Sequence, residues 1–159
     1  MGVHLKLVNM RAFLLILTAV LFYTSSHAQL AEDSVKAVIN NMFTAMRTGD
    51  EKLFRSVLGD SAILQGISKN KEGKTVVRSE NINDFATFIS QVKKDSADER
   101  ITFDMVKVDG PLAIAWTPYK FYRNGQFSHC GVNSFQLVRI DGVWKIQYII
   151  DTRRKDHCL

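Results

Sequence analysis

Residues 112–152 decide the fold, and they read LAIAWTPYKFYRNGQFSHCGVNSFQLVRIDGVWKIQYIIDT. Asn124-Gly125 and Asp141-Gly142 are dipeptides that favour two-residue hairpin turns, because both central residues of such a turn take a positive φ. The segments around them are rich in β-branched and aromatic residues, as strands are. The stretch therefore predicts three long antiparallel strands, Leu112–Arg123, Gln126–Ile140 and Val143–Thr152.

The chain before this stretch carries helical periodicity. Apolar residues recur every three or four positions over 33–47, with Asp33 or Ser34 as the cap, which predicts a first helix. A second, short helix follows Asp50 and ends at Gly59, and a third starts at Asn81 or Asn83. Short strands are predicted at 62–67 and 74–78, and after a polar run at 93–100 a four-strand meander begins at residue 101. Helices followed by an antiparallel sheet predict an α+β fold.

Residues 1–28 have the features of a cleavable secretory signal peptide. Lys6 and Arg11 give a basic start, residues 12–23 form a mostly apolar run, and Ser26-His27-Ala28 supplies small residues for cleavage after Ala28. The apolar run is shorter than the roughly 20 residues that cross a bilayer. Translation from Met1 or from Met10 gives the same signal. We expect a secreted or periplasmic domain over 29–159, with no membrane attachment after cleavage.

Composition indicates one ordinary folded domain. The 159 residues are 46% hydrophobic and 23% charged with two prolines, which excludes a disordered chain, a multidomain enzyme and a multi-pass membrane protein. Setting aside residues 1–28 removes Lys6 and Arg11 but no acidic residue, so the net charge falls from +5 to +3. The basic clusters near residues 69–74 and 153–155 lack interleaved aromatic residues, so nucleic acid is not an expected partner.

Strict alternation from the two hairpins assigns the faces of the sheet. One face collects apolar residues and is expected to face the helices, with polar interruptions at His129, Asn133 and Thr152. Asp151 is expected on the opposite, wetter face, and Gly131 is a candidate β-bulge that would bring Tyr119 and Phe121 into the pocket. The apolar set on the first face is Ile114, Trp116, Phe135, Leu137, Trp144, Ile146, Tyr148 and Ile150.

The segment from Tyr119 to Asp151 and the ending Asp141-Gly142-Val143-Trp144-Lys145-Ile146 resemble the NTF2-like (nuclear transport factor 2-like) superfamily. His129-Cys130-Gly131, Phe135-Gln136-Leu137 and residues 151–154 are similar to a secreted bacterial group of that superfamily, a lumazine-binding-like group. The resemblance implies a cone of three N-terminal helices packed on a strongly curved antiparallel sheet, with an internal pocket. It also implies a homodimer formed through the outer sheet face.

Relatives in this superfamily include ketosteroid isomerases, dehydratases, epoxide hydrolases, polyketide cyclases and non-enzymatic binders, so the fold does not select a function. Three hypotheses stay open: a binder of a small, partly apolar molecule with no cofactor, a pocket enzyme of isomerase, dehydratase or hydrolase type, and a structural or interaction module with a filled cavity. An isomerase of the ketosteroid kind needs carboxyl groups in its pocket, and the alternation places none there.

The enzyme hypothesis depends on His129, whose ordinary pKa suits a general acid or base, with Tyr119 and Asp151 in support. A histidine hydrogen-bonded into the sheet is the competing interpretation, and Asp151 with Arg153 could be a surface ion pair. The expected ligand-binding residues are aromatic or polar side chains of the sheet: Trp116, Tyr119, Phe121, His129, Asn133, Phe135 and Tyr148.

Cys130 and Cys158 are the only cysteines, and export to an oxidising compartment would permit a disulfide between them. Free thiols are the next alternative. His129 and His157 each precede one cysteine, so a Zn²⁺ site with two sulfur and two nitrogen ligands is a third alternative. Neighbouring residues on a strand point to opposite faces, which makes His129 and Cys130 poor joint ligands. We therefore expect no metal.

Overall fold

The computed structural model describes residues 29–158, so the predicted signal peptide lies outside the described residues. The described chain forms three helices and seven strands. The helices are α1 over 29–48, α2 (Glu51–Val57) and α3 (Ile82–Ser90). The strands are β1 (Leu58–Lys69), β2 (Thr75–Glu80), β3 (Ala97–Ile101), β4 (Met105–Asp109), β5 (Leu112–Arg123), β6 (Gln126–Ile140) and β7 (Val143–Thr152).

All seven strands belong to one sheet, in the order β2-β1-β7-β6-β5-β3, and β4 also pairs with β5. The hairpins β5–β6 and β6–β7 form at the two predicted dipeptides, where Asn124 and Asp141 take φ values of 50° and 49°. The α+β prediction is confirmed. The sheet is mixed rather than purely antiparallel, because β1 runs parallel to β7 and joins the first half of the chain to the last strand.

Side-chain caps start α2 and α3 where the sequence predicts them. The Asp50 carboxylate accepts a hydrogen bond of 2.8 Å from the Leu53 backbone N–H. The Asn81 side chain accepts from the backbone N–H groups of Asn83 and Asp84 at 2.9 and 3.1 Å. Such caps satisfy backbone donors that have no partner inside the helix.

Two β-bulges shift the register of the long strands. Phe121 pairs with His129 but Tyr122 pairs with Phe127, so Ser128 is an extra residue in β6. The prediction of a bulge at Gly131 is wrong, because the pairing runs through that residue without interruption. The second irregularity lies in β7, where Gln136 pairs with Tyr148 and Leu137 with Ile146, which leaves Gln147 extra.

Each bulge reverses the alternation beyond it, since one extra residue exchanges the two faces of a strand. In β5 the buried side chains are therefore Ala113, Ala115, Thr117 and Tyr119. The expected inward positions of Ile114 and Trp116 are wrong, and Trp116 is 42% exposed. In β7, Ile149 is buried in place of Tyr148 and Ile150. The same shift brings Asp151 to the inner face.

The core lies between the helices and the inner face of the sheet. Phe54, Phe135 and Ile146 are fully buried there, and the rings of Phe43 and Phe135 meet edge to face at 6.1 Å. Burying such side chains is the main stabilising contribution to a domain of this size. Among residues 29–158, no helix is long and apolar enough to cross a membrane.

Candidate functional site

A cavity of about 310 Å³ lies between α1, α3 and the inner face of the sheet. Its helical wall is apolar, and its sheet wall carries polar side chains towards one end. The helical residues are Met42, Phe43 and Met46 from α1 and Phe85, Phe88 and Ile89 from α3. The volume lies near the lower end of the range of about 300–1,000 Å³ that is usual for small-molecule pockets.

The polar end of the cavity is built by Glu99, Asn133 and Asp151 from three strands. Asn133 and Asp151 are direct partners across β6 and β7, so both side chains project from the same face. The Asn133 Nδ2 group donates a hydrogen bond of 2.9 Å to the Oε1 atom of Glu99 in β3. The amide and the two carboxyl groups therefore lie together, across from the apolar helical wall. The sheet wall carries further polar side chains: Gln65, Glu80, Arg123, Ser128 and Arg153.

Glu99 is the most perturbed acid of the site. Burial, which penalises the charged carboxylate, raises the pKa of Glu99 from 4.5 to about 7. The hydrogen bond from Asn133 opposes this rise, the Asp151 carboxylate adds to it, and Arg153 opposes it again. The Glu99 carboxyl therefore exchanges a proton near neutral pH.

Tyr119 and Arg153 hold Asp151 in place. The Tyr119 hydroxyl lies 3.1 Å from Oδ2 of Asp151 and 2.9 Å from the carbonyl oxygen of Thr152, and it donates to these acceptors. The Arg153 Nε–H donates to the same Oδ2 atom at 3.0 Å. Burial and then the charges of Asp151 and Glu99 raise the pKa of Tyr119, so this phenol stays protonated. Tyr119 acts as a positioning residue for Asp151.

His129 lies at the cavity wall between aromatic rings. Its ring centroid is 4.9 Å from that of Phe121 and 5.8 Å from that of Tyr119, and its Nδ1 atom lies 3.0 Å from the Ser128 hydroxyl. Burial and then Arg153 lower the pKa of His129 below its ordinary value of 6.5. The imidazole is therefore mostly neutral at pH 7.

The structure brings together most of the residues that the sequence proposes for the site. Tyr119, Phe121, His129, Asn133 and Asp151 all line the cavity. Three other predicted ligand-binding residues do not. Trp116 and Tyr148 project from the outer face because of the two bulges, and Phe135 is buried in the core beneath α1.

Glu99 is the site residue that the sequence interpretation misses. It lies in what reads as a polar run over 93–100, whereas β3 begins at Ala97. Inward-facing Ala97 and Ile101 flank Glu99 at two-residue spacing, and this alternation was the available signal. Arg153, which the sequence interpretation considers with Asp151 as a partner of His129 or as half of a surface ion pair, also lines the cavity, because the bulge at Gln147 turns the end of β7 towards it.

Cys130 and Cys158 form a disulfide that ties the C-terminal segment to β6. The backbones of Cys130 and Arg154 add two hydrogen bonds of 2.9 Å beside it. Because each sulfur is bonded to the other, neither is free to bind Zn²⁺ as a thiolate. Within residues 29–158, no three His, Cys, Asp or Glu side chains are arranged to hold a metal ion.

Solved structures with this arrangement of helices and strands define an NTF2-like, cystatin-like fold. A protein of unknown function from Shewanella baltica is 14% identical, with a TM-score of 0.59 and coverage of 78% of this chain and 94% of that one. A cystatin-like domain from Nostoc punctiforme is 20% identical, with a TM-score of 0.60 and 80% of each chain covered. Another Nostoc punctiforme protein is 8% identical, with a TM-score of 0.63 and coverage of 80% and 93%.

Residues 31–148 match the sequence family described as "Putative lumazine-binding". The chain belongs to this family. No curated protein matches the chain.

Proposed function

We propose that this protein binds a small, planar, partly apolar molecule in the internal cavity. The observation that carries the proposal is the pairing of Glu99 and Asn133 on the sheet wall of a cavity whose helical wall is aromatic and aliphatic. A few polar groups that converge in an otherwise apolar cavity are typical of small-molecule sites, where they orient the ligand.

The apolar walls favour a flat ring system. Phe43, Phe85, Phe88 and Phe121 all line the cavity, and the Phe85 and Phe88 rings are nearly parallel at a centroid distance of 6.2 Å. Aromatic side chains in such walls bind planar ligands by burying their faces and by ring contacts. A planar heterocycle can bury more of its surface against these flat walls than a flexible chain can.

The polar end favours a ligand that presents both N–H and C=O groups on one edge. The carboxyl groups of Glu99 and Asp151 accept hydrogen bonds, and the Arg153 guanidinium at the same end donates them. The cyclic imide edge of a pteridinedione such as lumazine has this alternation of groups. The family's description supports the same class of ligand.

Titration calorimetry with pteridine-2,4-dione at pH 6 and pH 8 tests this proposal. Glu99→Gln keeps the shape of the side chain but removes the carboxylate, so we expect binding about tenfold weaker at pH 8, where a charge-assisted hydrogen bond is lost. Glu72→Gln, in the exposed turn between β1 and β2, is the matched control and should bind as the wild type does. Absence of binding, or equal affinity in all three proteins, contradicts the proposal.

Proton transfer to or from a bound molecule is a second candidate function, and the state of Glu99 favours it. A carboxyl group with a pKa of about 7 inside an apolar cavity is suited to act as a general acid or base at neutral pH. Glu99 fits this role better than His129, whose ring nitrogen Nδ1 meets only the Ser128 hydroxyl within hydrogen-bond distance among the described residues. Catalysis would be established if the wild type converts a bound pteridinedione and Glu99→Gln still binds this molecule but no longer converts it.

We also propose export to a secreted or periplasmic location. The basic start, apolar run and small residues of 1–28 support it, as does a disulfide, which persists in oxidising compartments. Fractionation of cells and N-terminal sequencing test the proposal. A mature protein that begins at Gln29 is the expected result, and retention of residues 1–28 in the cytoplasm would contradict it.

A homodimer through the outer sheet face is the oligomer that we propose. Trp116, Ile63 and Leu112 project from that face and are 42%, 50% and 47% exposed. Apolar clusters of this kind usually mark an interaction surface. Light scattering should give a dimer for the wild type and a monomer for Trp116→Lys. Leu30→Lys, on the exposed side of α1, should stay dimeric, and a monomeric wild type contradicts the proposal.

A further inference from the structure

A second cleft, of about 270 Å³, opens on the outer face of the sheet. Arg100, Lys120 and Arg154 line it, together with Tyr122 and Pro118. It therefore combines three cationic side chains with an apolar and aromatic wall. The internal cavity lies on the other face of the same strands, since Tyr119 and His129 point inward and their neighbours Lys120 and Cys130 point outward.

The register places these cations in one row across the sheet. Arg100 pairs with Lys120, Lys120 pairs with Cys130, and Cys130 pairs with Arg154. Direct partners in a sheet share a face, and neighbouring strands are about 4.8 Å apart. Cationic side chains therefore project in parallel from three positions, and the Cys130–Cys158 disulfide fills the place between Lys120 and Arg154.

Little negative charge offsets this row. Asp98 forms an ion pair of 2.8 Å with Arg100, whose guanidinium also lies 4.3 Å from the centre of the Tyr122 ring. Among residues 29–158, neither Lys120 nor Arg154 has a carboxylate within salt-bridge distance. Arg154 donates instead to the carbonyl oxygen of His157 at 3.3 and 3.4 Å, a contact that orients the guanidinium without neutralising it.

We propose that this cleft binds a small organic molecule through a phosphate or diphosphate group. A phosphate group offers at least three oxygens in a tetrahedral array, so it can accept hydrogen bonds from cations that arrive from separate strands. A carboxylate offers two oxygens in one plane. Arginine is suited to phosphate because its planar guanidinium donates two parallel hydrogen bonds. The wall formed by Tyr122 and Pro118 accommodates the organic part of the ligand.

Amide chemical-shift titration of the purified, disulfide-bonded protein with sodium pyrophosphate at low ionic strength tests this site. We expect saturable shifts centred on the amides of Arg100, Lys120 and Arg154. Lys120→Gln and Arg154→Gln should each weaken binding about tenfold or more, because each removes a hydrogen bond to a charged group. Lys107→Gln removes an exposed cation from the outer face of β4 and is the matched control, with unchanged affinity.

Malonate serves as the comparison anion, since it carries two carboxylates in a molecule of similar size. Pyrophosphate should bind more tightly than malonate. The proposal is overturned if the shifts do not saturate, if they centre on other residues, or if Lys120→Gln and Arg154→Gln bind as tightly as Lys107→Gln. Equal binding of malonate and pyrophosphate would overturn the assignment to phosphate compounds. None of these readouts depends on a ligand in the internal cavity.

Discussion

Asn133 donates its Nδ2 hydrogen to Oε1 of Glu99 across 2.9 Å, so the side-chain hydrogen bond to this half-buried acid comes from a neutral amide. An amide stabilises a carboxylate less than a cation does, and burial therefore dominates the ionisation of Glu99. The position of this pair in the cavity makes the ligand binding that we propose, proton exchange and folding stability depend on the same carboxyl group.

Glu99→Gln should change how stability varies with pH. The folded protein holds the Glu99 proton up to a pKa of about 7, whereas the unfolded chain releases it near 4.5. The folded state thus binds more protons between these values, and this group makes the wild type less stable as pH rises from 4.5 to 7, by up to about 3 kcal/mol. Urea unfolding at several pH values should show this loss in the wild type and in Glu72→Gln. If Glu99→Gln loses as much stability over this pH range, burial does not govern the pKa of the Glu99 carboxyl.

The His129 ring should titrate below 6.5 in an NMR experiment, because burial and Arg153 both disfavour its charged form. A histidine with a lowered pKa contributes stability above pH 6.5, and that contribution is lost as pH falls through the lower value. Arg153→Gln removes the larger of the two charges that lower this pKa, the other being Lys155, and should move the midpoint upward. A wild-type midpoint above 6.5 would show that the ring is more open to solvent than its contacts with Phe121 and Tyr119 indicate.

Gly131→Ala should destabilise the protein by about 1–3 kcal/mol or more, as overpacked cores do. An added Cβ would lie 1.7 Å from the carbonyl oxygen of Thr152 and 2.7 Å from a ring carbon of Tyr119, so the backbone must move. Gly66→Ala is the comparison, since its Cβ would meet a side-chain atom, Oδ1 of Asp151, at the longer distance of 3.1 Å, and no backbone atom as closely. Thermal unfolding should rank Gly131→Ala as clearly the less stable, and the reverse order would contradict this packing.

Cys158→Ser should lower the free energy of unfolding by roughly 3–4 kcal/mol, because the disulfide closes a 28-residue loop. Denaturant unfolding with and without reductant measures the effect. Reductant should destabilise the wild type to the level of Cys158→Ser and leave the variant unchanged. A variant as stable as the oxidised wild type would mean that β6 and the C-terminal segment hold together without the bond.

Thr117→Val should leave stability unchanged or raise it by about 1 kcal/mol. Thr117 is fully buried beside Asn133 in the β5–β6 register, and its hydroxyl makes no hydrogen bond to any of residues 29–158. Valine keeps the shape and removes the polar atom. Destabilisation by more than about 1 kcal/mol would indicate that a buried water satisfies the hydroxyl.

The sequence predicts the elements of this fold better than the faces of its strands. Asn124-Gly125 and Asp141-Gly142 set the hairpins, because local backbone conformation decides them. The bulges at Ser128 and Gln147 carry no such local signal, since they depend on how β6 fits both of its neighbours. That difference explains why His129 and Asn133 line the cavity as predicted while Trp116 and Tyr148 do not.

Glu99 illustrates a second limit of predicting the site from the sequence. Its neighbours Asp98 and Arg100 are polar, as an outer face allows, so the segment reads as a loop until its pairing with β5 is known. The alternation of Ala97, Glu99 and Ile101 is the single local signal for an inward glutamate, and the pairing with β5 is what establishes it. The parallel pairing of β1 with β7 is likewise a long-range property that no local pattern specifies.

The parallel pairing of β1 with β7 also orders events as the chain is made. β1 ends at Lys69 and its partner β7 begins at Val143, so the β1–β2 hairpin of a growing chain can pair with the rest of the sheet only once β7 has been made. Closing so distant a contact is slow compared with forming a hairpin. The β1–β7 pairing, which joins the β1–β2 hairpin to the other strands, is therefore the contact that completes the sheet.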